Sequence, residues 1–478
     1  MTIPALQLYD TRRRAVRPFE PSEPGRVGMY TCGPTVYSPQ HLGNMRSQLV
    51  PDLLRRVLLA SGLAVTYVTN ITDVGHLTSD ADEGDDKVEA AALRASTSVE
   101  EITGRWTGQW ATDRRRLGCL EPDLVPRASE HIGDQIAMVA TLVERGLTYV
   151  IEDGVYFDVS AFPGYAEFAG IALDDLAATG RVRHLADKRH PADFALWKFS
   201  PGEGKRLQEW DSPWGVGFPG WHIECSAMAG RYLGEKIDIH TGGVDHIRVH
   251  HTNEIAQSEC ALDVHPWVSY WVHSEFLDLA GEKMSKSRGH VLVVDTLTER
   301  GIDPVAFRYF TFQAHYRQQQ AFTFDAVAAA GTALRRLTHH AVAAREAVGG
   351  EDVRPSGGRA AELGTAFWAA LCDDLNSPRA LSIASTVTRD PELTAAERWA
   401  LLADFDRALG FDLATASDPE DAWDVSADPA VAARLAERQA ARAARDFAAA
   451  DTIRDELAAS GIEITDTPDG PRARRSST

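Results

Sequence analysis

Thr31-Cys32-Gly33-Pro34-Thr35-Val36-Tyr37-Ser38-Pro39-Gln40-His41-Leu42-Gly43-Asn44 is the stretch that decides how the rest of the chain folds. The apolar run before it, residues 27–30, predicts a buried parallel strand. Gly33 and Pro34 break that strand, and a helical pattern begins at Leu42. A helix start offers unpaired backbone N–H groups and a partial positive charge, so it suits a phosphate. The same loop carries a cysteine and a histidine, so two kinds of chemistry can meet here.

Working outward, the strand at 27–30 leads to a helix over 42–59. A β-branched run at 64–70 follows, and then a long polar-faced helix from Lys87. This is the βαβ logic of a doubly wound parallel sheet. The acidic stretch Ser79-Asp80-Ala81-Asp82-Glu83-Gly84-Asp85-Asp86 reads as a solvated loop. After Cys119 come a helix over 129–146 and a hairpin over 148–159 turning at Asp153-Gly154, which together look like an insertion. Sheet signals resume at 236–240, followed by Gly242-Gly243, a helix over 250–261 and a strand region over 267–279. From Phe324 to Leu409 the chain is Ala, Leu and Arg at helical spacing, which predicts a helix bundle. Residues 411–428 are acidic and read as a linker. Asp428-Pro429 then opens a last helical module, with Asp as N-cap.

The expected fold is therefore α/β. A Rossmann-type doubly wound sheet occupies 1–125 and 215–265 and is split by an inserted domain at 126–214. A joining region at 266–322 precedes a bundle at 323–410, the linker at 411–428 and a small module at 429–478. With 44% hydrophobic and 25% charged residues, composition is that of a soluble enzyme. Five scattered cysteines argue for a reducing cytoplasm and against a disulfide framework. There is no signal pattern and no 18-residue apolar run, so a membrane partner is not expected. A net charge of −20 means that any polyanion must be met by local patches, such as the arginines between Arg434 and Arg475.

His250 and Glu254 lie i, i+4 on a predicted helix and point the same way. Taken alone they are a surface pair, and Cys225 taken alone is packing. Cys32, Cys225 and the His250/Glu254 pair all follow or open elements of one predicted sheet, whose strand ends converge on one crevice. Two Cys, one His and one Glu would make a tetrahedral Zn²⁺ set, and spacing leaves both readings open. Cys119, Cys260 and Cys372 read as packing. His41-Leu42-Gly43-Asn44 reads as a helix start, and Gly43 allows close approach to the backbone. Lys283-Met284-Ser285-Lys286-Ser287 is a short basic loop that can bring an ammonium group to a phosphate, or simply stay in water.

In this order, His41-Leu42-Gly43-Asn44 and Lys283-Met284-Ser285-Lys286-Ser287 resemble the paired motifs of class I aminoacyl-tRNA synthetases. Three further stretches resemble the cysteinyl-tRNA synthetase family: 30–37, Gly220-Trp221-His222-Ile223-Glu224-Cys225-Ser226-Ala227-Met228, and His250-His251-Thr252-Asn253-Glu254-Ile255-Ala256-Gln257. Asp374-Leu375-Asn376-Ser377-Pro378 and Arg445-Asp446-Phe447-Ala448-Ala449-Ala450-Asp451 extend the likeness over nearly the whole chain. The resemblance implies ATP-dependent activation of L-cysteine and its transfer to the 3′ end of tRNA(Cys), by a cytoplasmic monomer. Cys32, Cys225, His250 and Glu254 would hold a Zn²⁺ that binds the substrate sulfur, and Gly33, Thr72 and Trp221 would complete the amino-acid pocket. His41, Gly43, Asn44, Gly243, Asp245 and Lys286 would contact ATP, which arrives with Mg²⁺. His41, Asn44, Lys283 and Lys286 would be the catalytic group. By the same implication, 266–322 would contact the tRNA stem and carry the lysine loop, 323–410 would bind tRNA and 429–478 the anticodon.

The chain departs from the family pattern in four places. Asn44 stands where the class has a second histidine; it can donate a hydrogen bond but never carries charge. Val74-Gly75-His76-Leu77-Thr78 and the acidic stretch replace a shorter segment, and Asp245-His246-Ile247-Arg248-Val249 replaces a more apolar one. Ala473 stands where a tryptophan is usual, which is expected to remove a stacking platform for unpaired bases. Two rival functions carry the same motifs: a cysteine ligase with a small amine acceptor, as in mycothiol synthesis, and a non-catalytic tRNA-binding relative. The bundle and C-terminal module weigh against the first rival. His41, Lys286 and the four candidate ligands weigh against the second.

Overall fold

The computed structural model describes residues 3–75, 77, 86–170, 187–202, 206–279, 291–349, 357–418, 428–467 and 470–475. The chain begins with a hairpin of β1 (Gln7–Asp10) and β2 (Ala15–Pro18). The first crossover follows, running from β3 (Arg26–Thr31) through α1 (Leu42–Ala60) to β4 (Ala64–Thr69). In α1 the helical spacing of Leu42, Met45, Leu49 and Leu53 makes one apolar face, and all four are buried. Burying side chains of this kind contributes about 1.5–3 kcal/mol each.

The polar-faced helix expected from Lys87 is two helices, α2 (Lys87–Ala95) and α3 (Val99–Arg116). Ser96 ends α2 in the left-handed region at φ 51°, and the Ser98 side chain accepts from Glu101 N to start α3. The inserted unit contains α4 (Ile132–Glu144) and an antiparallel sheet ordered β5 (Thr148–Ile151), β6 (Gly154–Phe157), β7 (Phe194–Phe199) and β8 (Gly217–Pro219). Its hairpin turns at 152–153, one residue before the expected place, because Ile151 pairs with Gly154. Gly154 belongs to the strand: a Cβ there would sit 2.3 Å from the Trp197 carbonyl oxygen.

Four helical and strand segments then return to the main sheet: α5 (Trp221–Leu233), β9 (Ile237–Gly243), the short α6 (Val244–Ile247) and α7 (His250–Leu262), leading to β10 (Val268–Ser274). The sheet is parallel, with strand order β10-β9-β3-β4. Chain order reverses between β3 and β9, so a crevice is expected beyond their carboxyl ends. Ile223, Ala256 and Ala261 pack into the core of the inserted unit, which therefore backs onto α5 and α7.

Four helices follow: Phe324–Val348, Gly358–Cys372, Ser377–Arg389 and Ala395–Leu409. They share one core with α1. Arg308, in the helix Pro304–Phe312, locks this junction. It donates to Asp52 Oδ2 of α1 at 2.6 Å, to Leu409 O at 2.6 Å, and to Leu117 O and Gly118 O at 3.4 and 3.3 Å. The first part of the expected linker also holds to the bundle, through Arg345 to the carbonyls of Leu413, Ala414 and Ala416; residues 419–427 lie outside the described ones. The last module is a helix pair, Pro429–Ala443 and Phe447–Ala459, with a hairpin, Ile462–Thr467 and Gly470–Arg475. Asp428 caps it as read from the sequence, accepting from Ala430 N and Val431 N. Ala473 pairs with Ile464 and is fully buried against Val431 and Leu435, so its side chain offers no face to an unpaired base.

Candidate active site and metal centre

At the β3/β9 switch point lies a cavity of about 560 Å³. The loop after β3 contributes Cys32, Gly33, His41, Gly43 and Asn44, and the end of β4 contributes Thr72. Trp221 and Cys225 come from α5, Gly243 and Asp245 from the end of β9 and α6, and His250 from α7. Glu254 lies one helical turn beyond His250, fully buried beneath the cavity. Lys283 and Lys286, with the whole 280–290 segment, lie outside the described residues. So does the acidic stretch except Asp86, which caps α2 and pairs with Arg206.

One end of the cavity is a cluster of side chains that could hold a metal ion. The ligand atoms of Cys32, Cys225, His250 and Glu254 lie within 4.8 Å of one another; Cys225, His250 and Glu254 are buried and Cys32 is partly so. His250 Nε2 is 3.0 Å from Glu254 Oε1, while its Nδ1 meets His222 Nδ1 at 2.9 Å. Burial would lower the His250 pKa, but Glu254 and Cys225 beside it raise it to about 10. Burial would raise that of Glu254, but His240 and His250 hold it well below the carboxylate range. Cys225 is lowered to about 6 by its hydrogen bond from Cys32, while burial and that same bond push Cys32 up. His250 Nε2 and Glu254 Oε2 are buried without a hydrogen-bond partner. Orphaned donors around two sulfurs are what a soft or borderline divalent cation satisfies, so the residues present fit a metal ion.

The other end is a helix N-terminus. His41 is the N-cap of α1, its Nδ1 accepting from Asn44 N at 3.1 Å. In the neutral ring the proton is then on Nε2, which can donate to a phosphate oxygen. No acidic side chain occupies the first turn of α1, so its partial positive charge is uncancelled. Asn44 Nδ2 donates to Gln40 Oε1 at 2.7 Å and has a second hydrogen to give. A Cβ on Gly243 would lie 2.3 Å from Asp245 Oδ1, so a larger residue there would turn the Asp245 side chain aside.

Between the two ends, Asn70 and Glu224 fix the pocket. Asn70 Oδ1 accepts from Gly33 N at 2.9 Å and its Nδ2 donates to Thr72 Oγ1 at 3.1 Å. Thr72 Oγ1 in turn donates to Glu224 Oε2 at 3.1 Å. Neither residue was singled out from the sequence, although Glu224 adjoins Cys225 and Asn70 closes the predicted strand at 64–70. Trp221 walls the pocket, its ring 4.3 Å from that of His250. A Cβ on Gly33 would fall 1.5 Å from the Asn70 carbonyl oxygen. Gly33→Ala is therefore expected to displace the Cys32 loop.

A sequence profile of the tRNA synthetases class I (C) catalytic domain matches residues 18–332. The chain is 47% identical over 472 residues to cysteine–tRNA ligase 1 of Burkholderia lata, covering 98% of this chain and 96% of that protein. The chain belongs to the class I cysteine–tRNA ligase family. Other members of the family resemble it at similar coverage. The cysteine–tRNA ligase of Treponema pallidum is 41% identical over 97% of this chain and 98% of its own. That of Thermus thermophilus is 40% identical over 98% and 99%. Among solved structures, Mycobacterium tuberculosis methionyl-tRNA synthetase in complex with methionyl-adenylate superposes with TM-score 0.56 at 14% identity, over 80% of this chain and 89% of that one. A leucyl-tRNA synthetase ternary complex from Agrobacterium radiobacter gives 0.59 at 11%, over 82% and 84%. These two bear on the fold alone, and both are class I synthetases. Among the described residues, no helix of this cysteine–tRNA ligase family member is long and apolar enough to cross a membrane.

Proposed function

We propose that this chain activates L-cysteine with ATP to cysteinyl-adenylate and transfers the cysteinyl group to the 3′ end of tRNA(Cys), releasing pyrophosphate and AMP. The observation that carries this reading is one cavity with a Cys₂HisGlu cluster at one end and the N-terminus of α1 at the other. Zinc bound by Cys32, Cys225, His250 and Glu254 would supply a contact that prefers a thiolate to a hydroxyl, which an apolar pocket cannot do. Trp221 and the Gly33 loop would enclose the side chain, and Thr72 would orient the amino-acid backbone. At the nucleotide end, Asp245 would hold the ribose, while His41 Nε2–H, the first turn of α1 and Asn44 would face phosphates. Lys286 and Lys283 are assigned to the developing charge on pyrophosphate, with Mg²⁺ arriving on ATP. The carboxylate attacks the α-phosphorus in line, so these residues act by position and charge and need move no proton.

The experiment is cysteine-dependent ATP–pyrophosphate exchange, followed by charging of tRNA with and without its anticodon sequence. Absence of exchange refutes the reading; exchange without charging favours the small-amine acceptor. The C-terminal module supports tRNA as acceptor. Phe447 is 62% exposed at the start of its helix, two residues after Arg445, and offers a free face for a base where Ala473 does not. Phe447→Ala is expected to weaken tRNA binding about tenfold, read by filter binding against the wild-type chain. Affinity should also fall steeply with salt, since an acidic protein meets phosphates through local arginines.

A further inference from the structure

Behind the metal centre lies a second candidate ligand set. Cys32 and Glu254 also share a 4.8 Å cluster with ligand nitrogens of His240, on β9, and His251, on α7. Cys32 Sγ is 3.4 Å from His251 Nε2 and 3.8 Å from Glu254 Oε1. His240 Nε2 comes within 2.9 Å of Glu254 Oε2. That approach lacks hydrogen-bond alignment, and both ring nitrogens of His240 are buried with no partner.

His251 is held as metal-ligating histidines are. Its Nδ1 meets His273 Nε2 at 2.7 Å, and His273 Nδ1 meets Thr11 Oγ1 at 2.7 Å, which leaves His251 Nε2 facing Cys32. His222 does the same for His250 in the front set. One thiolate, two imidazoles and a carboxylate form a donor set that zinc accepts. The difference between the sets is access: Cys225 and His250 line the cavity, whereas His240 and His251 are fully buried behind it.

We propose that the chain offers two overlapping positions to one divalent cation. The front position, formed by Cys32, Cys225, His250 and Glu254, meets the substrate sulfur. The rear position, formed by Cys32, His240, His251 and Glu254, keeps the ion inside the protein when Cys225 or His250 is lost, and withholds it from the cavity. Because Cys32 and Glu254 belong to both, one ion is held at a time. This rests on the front-set reading given above.

The test uses the full chain purified with zinc and then exchanged to cobalt. Cys225→Ser and His250→Ala should each retain about one metal per chain while losing cysteine binding. In Cys225→Ser the sulfur-to-cobalt absorption should fall by about half, from two thiolates to one. His251→Ala alone should keep the two-thiolate spectrum. Combined with Cys225→Ser it should weaken metal binding at least about tenfold relative to Cys225→Ser, by chelator competition. Circular dichroism checks that each variant is folded, and His250→Ala serves if Cys225→Ser is not. Loss of metal from folded Cys225→Ser and His250→Ala would overturn the rear position, as would two metals per wild-type chain or no effect of His251→Ala on Cys225→Ser. A wild-type chain that takes up no metal would instead remove the front-set reading itself.

Discussion

Cys32→Ala is expected to cost the chain its metal and most of its cysteine activation together. Cys32 is the ligand nearest the strand–loop–helix turn, and it is common to both candidate ligand sets. Without it each candidate set is left with three of its four ligands, and the rear set with no thiolate, so neither position is complete. Cysteine-dependent exchange should fall on the order of 10³-fold, with zinc stoichiometry near zero. ATP affinity should hold, because His41 and Asp245 lie at the other end of the cavity. The preference for cysteine over serine, expected at about 10⁴-fold for a site that recognises one specific atom, should collapse in whatever activity remains. A Cys32→Ala protein with a full zinc complement and near-normal cysteine KM would remove the metal from the account.

Arg308→Ala should be the most destabilising single change in the junction between sheet and bundle, at about 3 kcal/mol. It removes one partner of a fully buried carboxylate and strands the carbonyl oxygens of Leu117 and Leu409, while Gly118 O keeps Arg56 Nη2 at 2.8 Å. Arg56, also bonded to Asp52 at 2.9 Å, keeps the loss from being larger. A shift in urea midpoint at constant slope measures it. The pH dependence has a definite sign. Burial acts to raise the Asp52 pKa, but Arg308 and Arg56 outweigh it and the folded value lies below the ordinary one. The contribution of Asp52 is therefore present above its unfolded value, about 4, and is lost as pH falls through the folded value. Below about pH 4 the wild type should lose stability faster than Arg308→Ala does.

Much of this architecture was legible because it rests on local rules. The β3–α1 turn followed from an apolar run, a Gly-Pro break and a helical repeat, and the C-terminal module from Asp428-Pro429. The break at Ser96 escaped notice because its flanks share one helical periodicity, and a single left-handed residue leaves little compositional trace. The hairpin turn was misplaced by one residue because Gly154 was read as a turn residue, whereas its lack of a side chain serves the Trp197 strand. At the site, the four candidate ligands could be named, but Asn70, Glu224, His240 and His251 could not be ranked by spacing. Their roles arise from contacts across as many as 219 positions of sequence, such as Cys32 with His251.

The ligand residues arise from a loop after β3 and from two helices that follow the inserted unit. During synthesis Cys32 emerges early and Glu254 only after about half the chain, with the whole of β5 to β8 made in between. The four side chains therefore cannot meet until α5 and α7 have been made and have come back against the first crossover. Metal uptake should consequently be a late event in the biogenesis of this protein, and any truncated product ending before α7 should be released as a metal-free species.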